Sequence, residues 1–252
     1  MLGIGQISTR IAELIRGALP YAIVNNNPDA SLFARLASYS EVQQALDAGH
    51  KWITVKPSDV DYVQFKVSGD HVKIQSSWGA RFTSTTTGAN TVVCEVTGDY
   101  CWIEGINTYT AGGTTTNDRR GFDCSTGQYN YFLGCLVTDS DGSGFCVGNN
   151  EGGVWNTFIG CHVIDVDDFG FYLDDQGPKV IGCTVSNSTQ SNRIHVAGNG
   201  DQFVLVGNIA LNGGNIFSGG DGGIAVGNLA DGTVSTDGSG NLLMNNTYNK
   251  EF

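Results

Sequence analysis

The chain is poor in proline, with 4 in 252 residues, and poor in charge, with Asp, Glu, Lys and Arg making up 15%. Lys and Arg number 13 against 25 Asp and Glu, a formal charge of -12. That balance lacks the clustered basic surface phosphate binding needs, so nucleic acid is not expected as a partner. No run of about 18 apolar residues is present, so no membrane-spanning helix is expected. The N-terminus lacks the apolar core of a secretory signal, because Arg10, Glu13 and Arg16 interrupt it. The seven cysteines (94, 101, 124, 135, 146, 161 and 183) form no CxxC pair, which excludes zinc-ribbon and thioredoxin-type motifs. Most sit in apolar, strand-like runs, as buried free thiols do, and this fits assembly in a reducing cytosol. No EF-hand or glycine-aspartate calcium repeat occurs, and neither a metal nor a cofactor is expected.

What is abundant is glycine, at 36 residues, about double average usage. It has no Gly-X-Y period, so collagen is out, and 40% hydrophobic residues are too many for a disordered chain. The glycines instead punctuate a repeat. Phe132-Leu-Gly-Cys-Leu-Val-Thr-Asp139, Phe158-Ile-Gly-Cys-His-Val-Ile-Asp165 and Val180-Ile-Gly-Cys-Thr-Val-Ser-Asn187 are three copies. Trp102 to Asn107 and Val204 to Leu211 are looser ones. The repeated glycines at 105, 134, 160, 182 and 207 lie 29, 26, 22 and 25 residues apart. A second strand recurs between the copies, beginning at Gly121, Gly144, Gly170, Arg193 and Gly223. At least two short strands per period of about 25 residues fit the coils of a parallel β-solenoid, not leucine-rich repeats or WD40 blades.

Alternation sets an expected register. Leu133, Cys135 and Val137 should point inward, with Ile159, Cys161, Val163 and Ile181, Cys183, Val185 matching on the next coils. The three cysteines should form a buried stack. Phe122, Phe145, Phe171 and Ile194 should form an inward aromatic and aliphatic row. Asp139, Asp165 and Asn187 share one turn position. The segments Trp52 to Lys56, Tyr62 to Val67, Val72 to Gln75 and Thr91 to Val96 read as earlier strands. Ser40-Glu-Val-Gln43 reads as a capping box opening a short helix that stops at Gly49 and covers the solenoid end. The Gly/Asp/Ser-rich stretch from 212 to 241 is expected to be looser.

Residues 1 to 39 read differently, as an N-terminal helical arm and linker before a β-helix domain at 40 to 252. Ile4, Ile7, Ile11, Leu14 and Ala18 form an a/d stripe. Helices this short are marginal alone, so the stripe must pack on its own solenoid, on sister subunits or on another protein.

The helix-to-first-strand passage from Val42 to Pro57 and the repeated glycine-cysteine strands resemble the right-handed parallel β-helix (pectate-lyase-like) superfamily over roughly residues 40 to 245. The resemblance implies an all-β solenoid of about eight coils with an N-terminal capping helix. The superfamily holds polysaccharide lyases, glycoside hydrolases and trimeric bacteriophage spikes and decoration proteins. This chain looks most like the phage group. The resemblance therefore implies a non-enzymatic virion protein, a homotrimer attached to capsid or tail proteins through Ile4, Ile7, Ile11 and Leu14. The alternative is a tailspike-like protein that binds or cleaves a cell-surface glycan.

If the chain is an enzyme, Asp141, Asp167, Asp168, Arg193 and His195 are its candidates, since glycoside hydrolysis uses two carboxylates. Their order resembles that of polygalacturonase, but no Gly-His-Gly follows the aspartate pair. His195 also stands where that family has lysine. The same aspartates equally suit turns. The outward row of the second strand, with Asp123, Cys146, Tyr172 and His195, is the other candidate surface, because aromatic and polar groups on a flat face bind sugars or proteins.

Overall fold

A computed structural model describes residues 21–24, 38–76, 80–84, 91–110, 119–148, 154–198 and 200–248. The expected parallel β-helix is present, and every strand pair in its three sheets is parallel. Sheet A has 11 strands, sheet B has 9 and sheet C has 8. One rung runs Tyr131–Leu133 in sheet A, Leu136–Ser140 in sheet B and Phe145–Val147 in sheet C. Each strand then hydrogen-bonds to its counterpart one rung on.

Each rung thus holds three strands, in keeping with the repeat's minimum of two. The extra division falls at the repeated glycine. Gly134 has φ +55 and Gly182 φ +62, a backbone that glycine enters without a Cβ penalty. This left-handed residue turns the chain from sheet A to sheet B and breaks the alternation. Cys135, Val137, Cys161, Val163, Cys183 and Val185 point inward as expected. Before the glycine the phase is reversed. Phe132, Phe158 and Val180 are buried, whereas Leu133 and Ile181 are half-exposed and Ile159 is exposed.

The core is a set of columns. Phe122, Phe145 and Phe171 stack with centroids 4.7 Å apart at each step, and Phe132 stacks on Phe158 at 5.0 Å. The two columns meet edge to face, as between Phe145 and Phe158 at 5.4 Å. Offset and edge-on contacts of this kind add about 0.5–1.5 kcal/mol each beyond burial. The expected cysteine stack is also present. The Cys161 amide donates to Cys183 Sγ at 3.3 Å. On later rungs the same position holds Asn208, Asn228 and Asn246. Each asparagine Oδ1 accepts the backbone N–H of the previous rung, at 2.9 Å. Buried backbone groups at the bend are thereby paired.

The segment from 212 to 241, expected to be loose, is regular. Asn215–Ser218, Ile224–Val226, Leu229–Ala230 and Val234–Thr236 continue all three sheets. Asn212, Gly213, Gly222, Gly227 and Gly240 occupy left-handed corners, with Asn212 at φ +57 and Gly227 at φ +64, so part of the polar composition reflects tight turns.

The helix at Val42–Asp47 ends as expected. Gly49 takes φ +84, and its N–H reaches the Leu46 carbonyl at 2.8 Å. The expected capping box does not form. Glu41 is the N-cap residue and makes no side-chain cap, while Ser40 Oγ donates to Gln44 Oε1 at 3.0 Å. These side chains serve the solenoid end instead. Glu41 accepts the Val63 amide at 3.0 Å and Gln43 accepts the Lys66 amide at 2.8 Å. Upstream, Tyr21–Val24 and Ser38–Tyr39 are strands that extend sheet A beyond Trp52–Val55. Ile4, Ile7, Ile11 and Leu14 lie outside the described residues.

Candidate functional site

Alternation in sheet C places one outward residue per rung, between two buried ones on all but the last rung. Register aligns these as Lys66, Glu95, Asp123, Cys146, Tyr172, His195, Phe217 and Ser235. The row is charged at one end and aromatic toward the other.

At the charged end Lys66 pairs with Glu95 at 2.7 Å, and Arg120 pairs with Asp123 at 2.6 Å. With Thr97 and Ser125 they line an open groove of about 470 Å³. Asp123 faces outward by register but is only 7% exposed. Its Oδ1 accepts the Ser125 amide at 2.9 Å and the Ser125 hydroxyl, and its Oδ2 accepts from Arg120. Asp123 therefore holds Arg120 over the groove. Cys146 is buried too.

At the aromatic end Tyr172 and His195 stack at 5.7 Å. Phe169 packs on both, at 5.2 Å from Tyr172 and 4.9 Å from His195. Phe217 continues the row at 5.2 Å from His195. Burial pushes the His195 pKa below the usual histidine value, against the opposing pull of Asp174 and Asp168. Its ring therefore holds a proton less readily than a free imidazole. Burial raises the Tyr172 pKa, helped by Asp174.

The remaining candidate residues divide among three places. Asp168 Oδ2 accepts from Ser143 Oγ at 2.7 Å, and its field reaches His195. Asp141 and Asp167 open on another side, a depression of about 290 Å³ shared with Asp139, Asp165, Asn187 and Thr189. There Asp141 pairs with buried Arg119 at 3.4 Å, and the Asp167 amide bonds the Ser140 carbonyl at 2.8 Å. Arg193 is buried and donates to the carbonyls of Gln190, Leu211 and Asn212, the last at 2.9 Å. It clamps a corner. Asp139, Asp165 and Asn187, with φ of +48, +55 and +53, are the shared left-handed turn of that corner. Among the described residues no group of three His, Cys, Asp or Glu is placed to hold a metal ion.

Lys66, Glu95, Arg120, Phe169 and Phe217 were not singled out in the sequence. Extending the second-strand alignment by two rungs upstream would have placed Lys66 and Glu95 in the row. Phe217 was hidden because the copy at Gly223 was aligned there, whereas Ile224–Val226 lies in sheet A beside Val204–Val206 and Asn215–Ser218 follows His195 in sheet C. Phe169 precedes its strand and carries no repeat signal.

The class defined by this geometry is the parallel β-helix, with a polar-to-aromatic row along one sheet. Among solved structures, an alginate lyase from Paenibacillus sp. str. FPU-7 is similar at a TM-score of 0.54 and 15% identity. The match covers 83% of this chain and 96% of that one. ORF18 of Geobacillus virus E2 is similar at 0.50 and 12% identity, over 97% of this chain and 64% of that one. Likeness at such identities is likeness of fold. No protein-family model matches the sequence, and no curated protein matches it.

Proposed function

We propose that the chain is a non-enzymatic surface protein of a bacteriophage particle, a homotrimeric small spike or capsid decoration protein that presents sheet C to a cell-surface glycan. The observation that carries the glycan part is the Tyr172, His195 and Phe217 row beside the Arg120 groove. Aromatic side chains offer apolar surface to the C–H faces of a sugar, and the neighbouring polar groups hydrogen-bond its hydroxyls and carboxylates. The similarity to a virus protein over nearly the whole chain supports the phage setting. In this reading residues 1 to 39 attach the protein to capsid or tail proteins, and it is carried in the virion after assembly in the host cytoplasm. No role for nucleic acid or membrane is invoked.

A glycan array followed by titration of the best ligand tests the binding. Tyr172→Ala with Phe217→Ala is expected to weaken the titrated affinity at least tenfold. Absence of any saturable glycan would remove this part of the reading. Deleting residues 1 to 20 is expected to abolish association with phage particles, and unchanged association would remove the anchoring part.

A second reading, glycan cleavage, is favoured by one observation. Burial favours the unprotonated form of His195, so it can accept a proton, and Tyr172 beside it can donate one. β-Elimination of a uronate needs both transfers, and Arg120 near Tyr172 would face the substrate carboxylate. Incubation with alginate and polygalacturonate decides between the readings. New unsaturated uronates, lost in His195→Ala, would replace the non-enzymatic reading.

A further inference from the structure

The outward face of sheet A changes character halfway along the solenoid. On the early rungs it carries Trp52, Thr54, Lys73, Gln75, Trp102 and Glu104, a mixed surface with cation-π contacts from Lys73 to both tryptophans. From Tyr131 onward it is mostly hydrophobic. Leu133, Ile159, Ile181, Val206, Val226 and Met244 form one unbroken outward column over six rungs. Val204, Ile224 and Leu242 form a second beside it over the last three. Of the twelve outward positions on these six strands, Thr157 and Lys179 alone are not hydrophobic. Ile159 is 37% exposed, Ile224 40%, Leu242 49% and Met244 46%.

These strands are also apolar on their inner face, through Phe132, Phe158, Val180, Leu205 and Ala225. Parallel strands that are apolar on both faces are ones covered on both faces. The early rungs of the same sheet show that the fold itself does not require this outer face to be apolar. At the usual rung spacing the strip is roughly 29 Å tall, and with the glycine corner roughly 15 Å wide. Patches of several hundred Å² mark interaction sites. Two such strips facing each other approach the roughly 1,000 Å² that a specific interface clears.

We infer that this strip is covered by further copies of the same chain, making it the contact surface of the homo-oligomer. A flat, straight, nearly uncharged surface with ridges at every rung offers no pocket or charge pattern to select an unlike partner. The same strip on the other copies has matching length, ridge spacing and polarity, so the strips of three copies gathered about a three-fold axis cover one another. The inference rests on the oligomer of the proposed function, names its surface, and is independent of glycan binding.

The native mass of the full chain tests it. Wild type is expected at a multiple of 26.7 kDa at micromolar concentration. Ile159→Lys with Val206→Lys is expected at the single-chain mass with an unchanged circular dichroism spectrum. The milder Ile159→Ser with Val206→Ser should dissociate at a roughly tenfold higher protein concentration than wild type. Ser186→Lys, on the outer face of sheet B, should leave the mass unchanged. A wild-type single chain would overturn both the strip and the oligomer. Strip variants that keep the wild-type mass would overturn the strip alone. Dissociation by Ile7→Asp with Ile11→Asp in that case would move the contact to the arm and preserve the oligomer.

Discussion

Cys183 Sγ accepts the backbone N–H of Cys161 at 3.3 Å and lies 3.6 Å from the Phe158 carbonyl. One rung on, Asn208 occupies the same two sites with better donors and acceptors. Its Oδ1 accepts the Cys183 amide at 2.9 Å, and its Nδ2 donates to the Val180 carbonyl at 2.8 Å. Thiol and amide are thus two solutions to one problem, the pairing of a buried amide and carbonyl at the sheet A to sheet B bend.

The equivalence makes Cys183→Asn a conservative change. Its stability in urea is expected to stay within about 1 kcal/mol of wild type, since the new amide replaces weak thiol contacts with ordinary hydrogen bonds. Asn228→Ala should behave oppositely. It strips the Asn208 amide of its acceptor and the Leu205 carbonyl of its donor. Two orphaned buried groups cost about 2–4 kcal/mol in the same measurement.

The aspartates at left-handed corners separate structural from chemical roles. Asp165→Asn and Asp165→Gly should both leave the melting temperature nearly unchanged, because each tolerates φ +55. Asp165→Val should lose about 1–2 kcal/mol or more through its branched Cβ. If Asp165→Asn were to abolish a glycan-directed activity, the corner would have to be counted as chemistry.

Asp175 supplies a pH dependence. It is buried, and its Oδ2 has no hydrogen-bond partner. Burial raises its pKa to about 7, against the opposing Gln176 amide, with Asp174 adding to the rise. In the unfolded chain an aspartate titrates near 3.9. Between those values the folded state holds the proton and the unfolded state has released it, so stability falls as pH rises. The contribution is lost from about pH 4 up to about 7 and is constant above. Asp175→Asn is expected to gain stability relative to wild type at pH 8 and to lose that advantage at pH 4. Urea midpoints across this range measure it. A pH-independent difference would remove Asp175 as its source.

Arg193 tests the corner clamp. Its guanidinium reaches three carbonyls from one planar fork, and Arg193→Ala should cost about 2–3 kcal/mol. Arg193→Lys should recover less than half of that, because an ammonium lacks the fork. Full recovery by lysine would mean that charge alone is at work.

Much of this was legible because a solenoid writes its period into the chain. The glycines at 134, 160 and 182 and the cysteines beside them marked the rungs, and Phe122, Phe145 and Phe171 marked the core. The phase before each glycine was not legible. Phe132 and Leu133 are both hydrophobic, so alternation could not choose between them until the left-handed bend was known. That ambiguity also hid the aliphatic strip, since the residues assigned to the core are the ones facing out. Composition misled in the segment from 212 to 241, where the same residues serve tight corners and loose loops. For the candidate site, Tyr172 and His195 followed from the strand repeat. The partners of Asp123 did not, because Arg120 and Ser125 reach it from neighbouring positions rather than from equivalent ones.

The rungs also differ in length along the chain. Successive left-handed bends between sheets A and B, from Gly105 to Gly134 and finally from Gly227 to Asn245, are separated by 29 residues at first and 18 at the end. The inward side chains of sheet A run Phe132, Phe158, Val180, Leu205 and Ala225, aromatic first and aliphatic after. The stacked phenylalanine columns therefore end at Phe158 and Phe171, and the later rungs are held by aliphatic packing and by the ladder of Asn208, Asn228 and Asn246.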